Sequence, residues 1–111
     1  MNLRIAYRGT LERTEELDAH VRKQLAKIIK FLEQEQGPAT IDMVLDGHPN
    51  HAHNSVHLHI ITPVFEVVAV REDQNIYQVV DKVTDIAYVD LHKQKEKLVH
   101  DKKNRGPHRP A

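Results

Sequence analysis

Residues 76–98, IYQVVDKVTDIAYVDLHKQKEKL, decide the fold. Their apolar positions Ile76, Val79, Val80, Val83, Ala87, Leu91 and Leu98 recur at spacings of three, four and seven, which predicts one buried stripe on an amphipathic helix. An acidic turn, Glu72-Asp73-Gln74-Asn75, leads into it, and Lys93, Lys95 and Lys97 crowd its end. Cations near a helix C-terminus are favoured by the backbone dipole. These three alternate too closely to share one face, so a polyanionic partner and a merely solvated helix end are both open explanations. Tyr77 stands at the helix start in a chain with three Tyr, two Phe and no Trp. It is expected to anchor the helix against a sheet rather than to stack on a base.

Upstream, Leu3, Ile5 and Tyr7 alternate with Asn2, Arg4 and Arg8, as in a half-buried strand ending near Gly9. Thr14 is a good N-cap, Glu15 and Glu16 suit the first helical turn, and Leu17, Val21, Leu25, Ile28 and Leu32 form a second helical stripe. Gly37-Pro38 is expected to stop that helix. Ala39, Ile41, Met43 and Leu45 then alternate with Thr40, Asp42, Val44 and Asp46 up to a break at Gly47-His48-Pro49-Asn50. Val56, Leu58 and Ile60 oppose His57, His59 and Ile61, and Thr62-Pro63 turns the chain into a last strand over residues 64–70. The order is βαβββα, its last three strands an antiparallel meander. Two helices with one apolar face each can both be buried on one face of a four-stranded sheet, giving a two-layer α+β domain.

A chain of 111 residues with 40% hydrophobic content supports one modest core. The absence of Cys excludes a disulfide framework and Cys-based zinc sites. The N-terminal residues lack a signal-peptide apolar region and no apolar run reaches membrane-spanning length, so a soluble, cytoplasmic protein is expected. Net charge is zero but polarised: residues 1–90 hold nine Lys/Arg against fourteen Asp/Glu, and residues 91–111 hold seven against two. No Gly-rich phosphate loop or nucleophile motif is present, and Ser55 and Thr84 stand in no catalytic pattern, so an enzyme is not expected. Asp46, His48 and His53 can be drawn as a nuclease-like cluster, a drawing that any histidine-rich loop permits.

Nine histidines include five at 48, 51, 53, 57 and 59. His57 and His59 would share one face of a strand, a geometry that can hold a metal, but no third ligand is evident and no cofactor is expected. Protonation of exposed strand histidines is the simpler consequence. If Met43, Leu58, Val67 and Ala69 point inward, then Val44, Ile61, Val64, Val68 and Val70 point away from the helices. That outer face is apolar enough to suggest self-association or a protein partner, against the plainer explanation of β propensity.

Several short motifs resemble the short ribosome hibernation factors, also called ribosome-associated inhibitors or sigma-54 modulation proteins. They are Arg13-Thr14 at the first helix, Ala26-Lys27-Ile28 within it, Asp73-Gln74-Asn75-Ile76-Tyr77 at the second, and the Lys-x-Lys-acid-Lys-Leu run over residues 93–98. Their order and spacing, across nearly the whole chain, carry the resemblance. It implies the βαβββα fold, itself similar to double-stranded-RNA-binding domains, over residues 1–100. It also implies a ribosome-binding stasis factor without turnover, whose helices sit in the messenger and transfer RNA channel of the small subunit. On that fold the interhelical groove would be the basic surface: Arg22, Lys23, Lys27 and Lys30 would in part face Lys82, Lys93, Lys95 and Lys97, all on rRNA phosphates. Recognition would be of RNA shape rather than base identity. Lys102 and Lys103 would add contacts from a basic tail, residues 101–111, disordered when free. In the family a short tail goes with ribosome pairing and an extended one with inhibition alone, which places this chain nearer the pairing-competent forms.

The chain departs from the family pattern at Ile86 and Val89, where Lys and Arg are usual, at Asp90, and at Gln24, which Arg22 and Lys23 flank. The other readings are therefore a divergent paralogue acting through protein contacts and a binder of structured RNA off the ribosome.

Overall fold

The structure, a computed structural model, describes residues 1–48 and 53–104. Strand β1 spans Asn2–Gly9, helix α1 Glu15–Glu33, strands β2, β3 and β4 Thr40–Gly47, Asn54–Ile61 and Glu66–Asp73, and helix α2 Ile76–Asn104. The strands form one sheet in the order β1-β2-β3-β4. β1 and β2 run parallel, joined by the α1 crossover, and the remaining pairs are the antiparallel meander.

Strand periodicity sets the two faces. Ile41, Met43, Leu45, Val56, Leu58, Ile60, Val67 and Ala69 are all buried beneath the helices, as alternation requires of a sheet covered on one side. The helices close this core with Leu17, Val21, Leu25, Ile28 and Leu32 from α1 and Val79, Val80, Val83, Ala87 and Leu91 from α2. Both expected stripes are present, except that Leu98 is 37% exposed. The reason is length: at about 1.5 Å per residue the helix outruns strands that rise about 3.3 Å per residue, since α2 has 29 residues and each strand eight. Its last turns therefore have no sheet beneath them, and the expected boundary at residue 100 falls inside the helix.

Local chemistry fixes the ends. Thr14 caps α1, its Oγ1 accepting from the Leu17 N–H at 3.1 Å. Asn75 does the same for α2, its Oδ1 accepting from the Tyr77 N–H at 3.0 Å. α1 ends at Glu33, ahead of Gly37, whose φ of 96° serves the turn into β2 rather than the helix stop. Gly9, at φ 65°, lies so close to Gly47 that a Cβ there would meet the Gly47 carbonyl oxygen at 1.9 Å. The β3–β4 turn is held by Thr62, whose Oγ1 accepts from the Phe65 N–H at 2.7 Å, and it delivers Phe65 into the core. β4 therefore starts two residues later than expected.

Candidate nucleic-acid interface

The helix layer carries the candidate basic residues, and its central seam is built from the flanks of the two buried stripes. On α1 these flanking positions are His20, Lys27, Phe31 and, just past the helix, Glu35. On α2 they are Tyr77, Asp81, Asp85, Tyr88, His92 and Lys95. The His20 Nε2 lies 2.7 Å from Asp81 Oδ1, the Lys27 ammonium donates to Asp85, and the Lys95 Nζ donates to Glu35 Oε2 at 2.8 Å. Rings fill the space between these pairs. His20 meets Tyr77 edge-on at 5.0 Å, His92 meets Phe31 at 4.8 Å and Tyr88 at 4.5 Å, and the Lys27 ammonium stands 5.2 Å from the Tyr88 ring centre.

The seam is thus a zipper of rings and of basic side chains set against carboxylates. Of the eight cations expected to face one another across it, only Lys27 and Lys95 do so, each onto a carboxylate of the opposite side. Arg22 lies on the other flank of α1, where its Nε donates to Asp18 Oδ2 at 2.9 Å. Lys82 points toward the end of β4, 3.9 Å from Asp73. Lys23 and Lys30 are exposed on α1, and Lys93 and Lys97 on α2; none of the four has an ion-pair partner among the described residues. Lys93 shares a shallow outward depression with Asp85, Ile86, Val89 and Asp90. Lys102 and Lys103 stand on the last turn of α2, with side chains outside the described residues.

Tyr77 departs from expectation. It is 36% exposed and packs on His20 of α1, not against the sheet. The seam residues His20, Asp81, Asp85 and Phe31 were missed by sequence reasoning; their only signal is a position one step off each buried stripe.

A second cluster lies where α1 meets β1. Asp18 accepts from the Tyr7 hydroxyl at 3.1 Å and from the Arg22 and Arg13 guanidiniums at 2.9 and 3.3 Å. The Arg22 hydrogen bond, supported by Tyr7 and Arg13, holds the Asp18 carboxyl below the usual carboxylate range. Burial first, and then the Asp18 carboxylate, push the Tyr7 phenol up to about 12.

Chemistry elsewhere is sparse. The Thr84 hydroxyl is buried and directed at the Val80 and Asp81 carbonyls of its own helix at 2.9 and 3.0 Å. Among the described residues no three metal-ligating side chains come together. His57 and His59 share the outer sheet face as expected, and the His59 Nε2 lies 3.0 Å from Glu66 Oε2. Residues 49–52, in the loop that would join Asp46 to His53, lie outside the described residues. No described helix is long and apolar enough to cross a membrane.

A family model described as "Sigma 54 modulation protein / S30EA ribosomal protein" matches residues 3–99. Among solved structures, the chain is similar to the N-terminal domain of Thermus thermophilus Protein Y, with a TM-score of 0.67 at 20% identity over 84% of this chain and 98% of that one. It is also similar to a ribosomal subunit interface protein from Coxiella burnetii, with a TM-score of 0.71 at 18% identity over 86% of this chain and 99% of that one. At these identities the likeness is one of fold. No curated protein sequence matches the chain.

Proposed function

Because the chain belongs to the sigma-54 modulation protein / S30EA ribosomal protein family, we propose that it associates with the ribosome in the cytoplasm as a stasis factor. In this reading it occupies the messenger and transfer RNA channel of the small subunit, silences translation by occupancy and catalyses nothing. The observation that carries the reading is the extent of the family match, residues 3–99, which takes in all of the sheet but Asn2, all of α1 and most of α2.

The electrostatics support phosphate contact of a particular kind. Lys23, Lys30, Lys93 and Lys97 are exposed cations with no ion-pair partner among the described residues, so they bind phosphate at little cost in broken pairs. Lys27 and Lys95 would first have to share or leave their carboxylates, and the more exposed of the two pairs, Lys27 with Asp85, contributes only about 0.2–1 kcal/mol. RNA contact is therefore expected on the outward ridges of α1 and α2, flanking the seam.

The depression around Val89 favours a second reading, a relative that acts through protein contacts. Its centre, Ile86 and Val89, is apolar where the family pattern carries bases, and its rim holds Asp85, Asp90 and Lys93. Pelleting the protein with purified ribosomes at low and moderate salt, with and without messenger and transfer RNA on the small subunit, separates the two. Channel occupancy requires binding that salt weakens and that the bound RNAs exclude. Binding indifferent to both salt and RNA supports the protein-contact reading.

A further inference from the structure

The outer face of the sheet is a four-by-four grid of side chains set by the strand registers, and its chemistry is directional. Across its rows stand Asn2, Thr40, Ile61 and Glu66; then Arg4, Asp42, His59 and Val68; then Ala6, Val44, His57 and Val70; then Arg8, Asp46, Ser55 and Glu72. The β1 edge is basic through Arg4 and Arg8. The β4 edge is acidic at its ends, Glu66 and Glu72, and apolar between them, where Val68 is 57% and Val70 39% exposed. Ile61 adds a further 44% exposed side chain. Neither described helix covers this face.

From this pattern we infer that the sheet binds a second copy of the chain, face to face, about a two-fold axis parallel to the strands between β2 and β3. Such an axis lays β1 over β4 and β2 over β3 while keeping each row in place. Arg8 then opposes Glu72 of the second copy, Asp42 opposes His59, Ala6 opposes Val70, and Val44 opposes His57. No two like charges meet. The other in-plane axis, perpendicular to the strands, reverses the rows and sets Glu66 against Glu72, which costs stability. Aligned packing also matches how two twisted sheets stack, about 10 Å apart with interdigitating side chains.

The face is small. Four strands about 4.8 Å apart and about 26 Å long give a footprint of roughly 500 Å² per copy, below the roughly 800 Å² of a standard interface. The dimer is accordingly weak, with a Kd on the order of 10–100 µM. Both helix layers point away from the contact and stay open to the RNA partner proposed above.

Sedimentation velocity of the full chain over a concentration series spanning that range tests the inference. The expected result is a reversible dimer whose Kd rises about tenfold or more in Val68→Glu/Val70→Glu. Arg8→Glu and Glu72→Arg should each weaken it, and together should restore it to within about threefold of the original. The rescue is diagnostic because the two residues stand on opposite sheet edges of one copy, about 14 Å apart, and can pair only between copies. Circular dichroism of each variant confirms that the fold is retained, as substitutions on an exposed face should allow. A chain that stays monomeric throughout, a dimer indifferent to the Val68/Val70 pair, or a double charge swap that fails to rescue overturns the inference. Edge-to-edge pairing of β4, which leaves Arg8 uninvolved, would appear as a dimer unmoved by Arg8→Glu.

Discussion

The His20 Nε2 of α1 lies 2.7 Å from the Asp81 Oδ1 of α2, and the Tyr77 ring closes over the same imidazole at 5.0 Å. This contact ties the two helices together on the outer side of the core, beside the buried Val21 of α1 and Val80 of α2. A double-mutant cycle of His20→Ala and Asp81→Ala, followed by urea unfolding, should give a coupling of about 0.3–1 kcal/mol, the range for a partly exposed pair.

Tyr77 is a seam residue, and its loss should be mild. Tyr77→Ala should cost about 1 kcal/mol, mainly the ring contact with His20. Val83 is fully buried, and Val83→Ala should cost more, about 2–3 kcal/mol. Thermal unfolding of the two variants side by side checks the order. Tyr77→Ala as the more damaging change would place its ring in the core after all.

Much of the fold is legible in the residues, and what is hidden has one physical origin. Periodicity marks Val21, Leu25 and Ile28 on α1, and Val79, Val83 and Ala87 on α2, as buried, because a side chain's face depends only on its own helix or strand. Which flank of α1 meets which flank of α2 depends on how the helices settle on the sheet, so Lys27 onto Asp85 and Lys95 onto Glu35 could not be read in advance. The same gap turned an expected basic groove into a seam of paired charges. Leu98 fits the stripe yet is exposed, since periodicity carries no information on how far the sheet extends beneath it. Phe65 precedes β4 yet keeps its alternation, buried in line with Val67 and Ala69.

The Tyr7–Asp18 contact gives the fold a pH signature on both sides of neutrality. Tyr7, raised to about 12, keeps its proton longer in the folded chain than in the unfolded one. Its contribution to stability is complete below about pH 10 and is lost as pH climbs from about 10 to 12. Ultraviolet titration should show one tyrosine ionising near pH 12, and Tyr7→Phe should remove that component. Asp18, lowered by Arg22, works with the opposite sign: its contribution is present above the ordinary carboxylate value of about 3.9 and is lost as pH falls through its folded value. Asp18→Asn should therefore flatten the acid limb of the stability curve.

The departures at Ile86 and Val89 split into two cases. Val89 is 50% exposed, while Ile86 packs partly against the core. Val89→Arg should leave the melting temperature almost unchanged, within about 0.5 kcal/mol of stability, and tighten ribosome binding by adding a phosphate contact. Ile86→Lys should destabilise the chain by about 1–2 kcal/mol through lost apolar burial. Equal loss of stability in both variants would show that the depression is not open to solvent.

The central claim is that exposed lysines on the helix layer, unpaired among the described residues, hold the chain to RNA phosphates. It is tested most directly by the slope of log binding constant against log salt for the small ribosomal subunit. With Lys23, Lys30, Lys93 and Lys97 all changed to Gln, the account predicts weaker binding and a slope shallower by about 3, from four lost contacts at about 0.7–0.9 each. A folded variant that binds with an unchanged slope would contradict it.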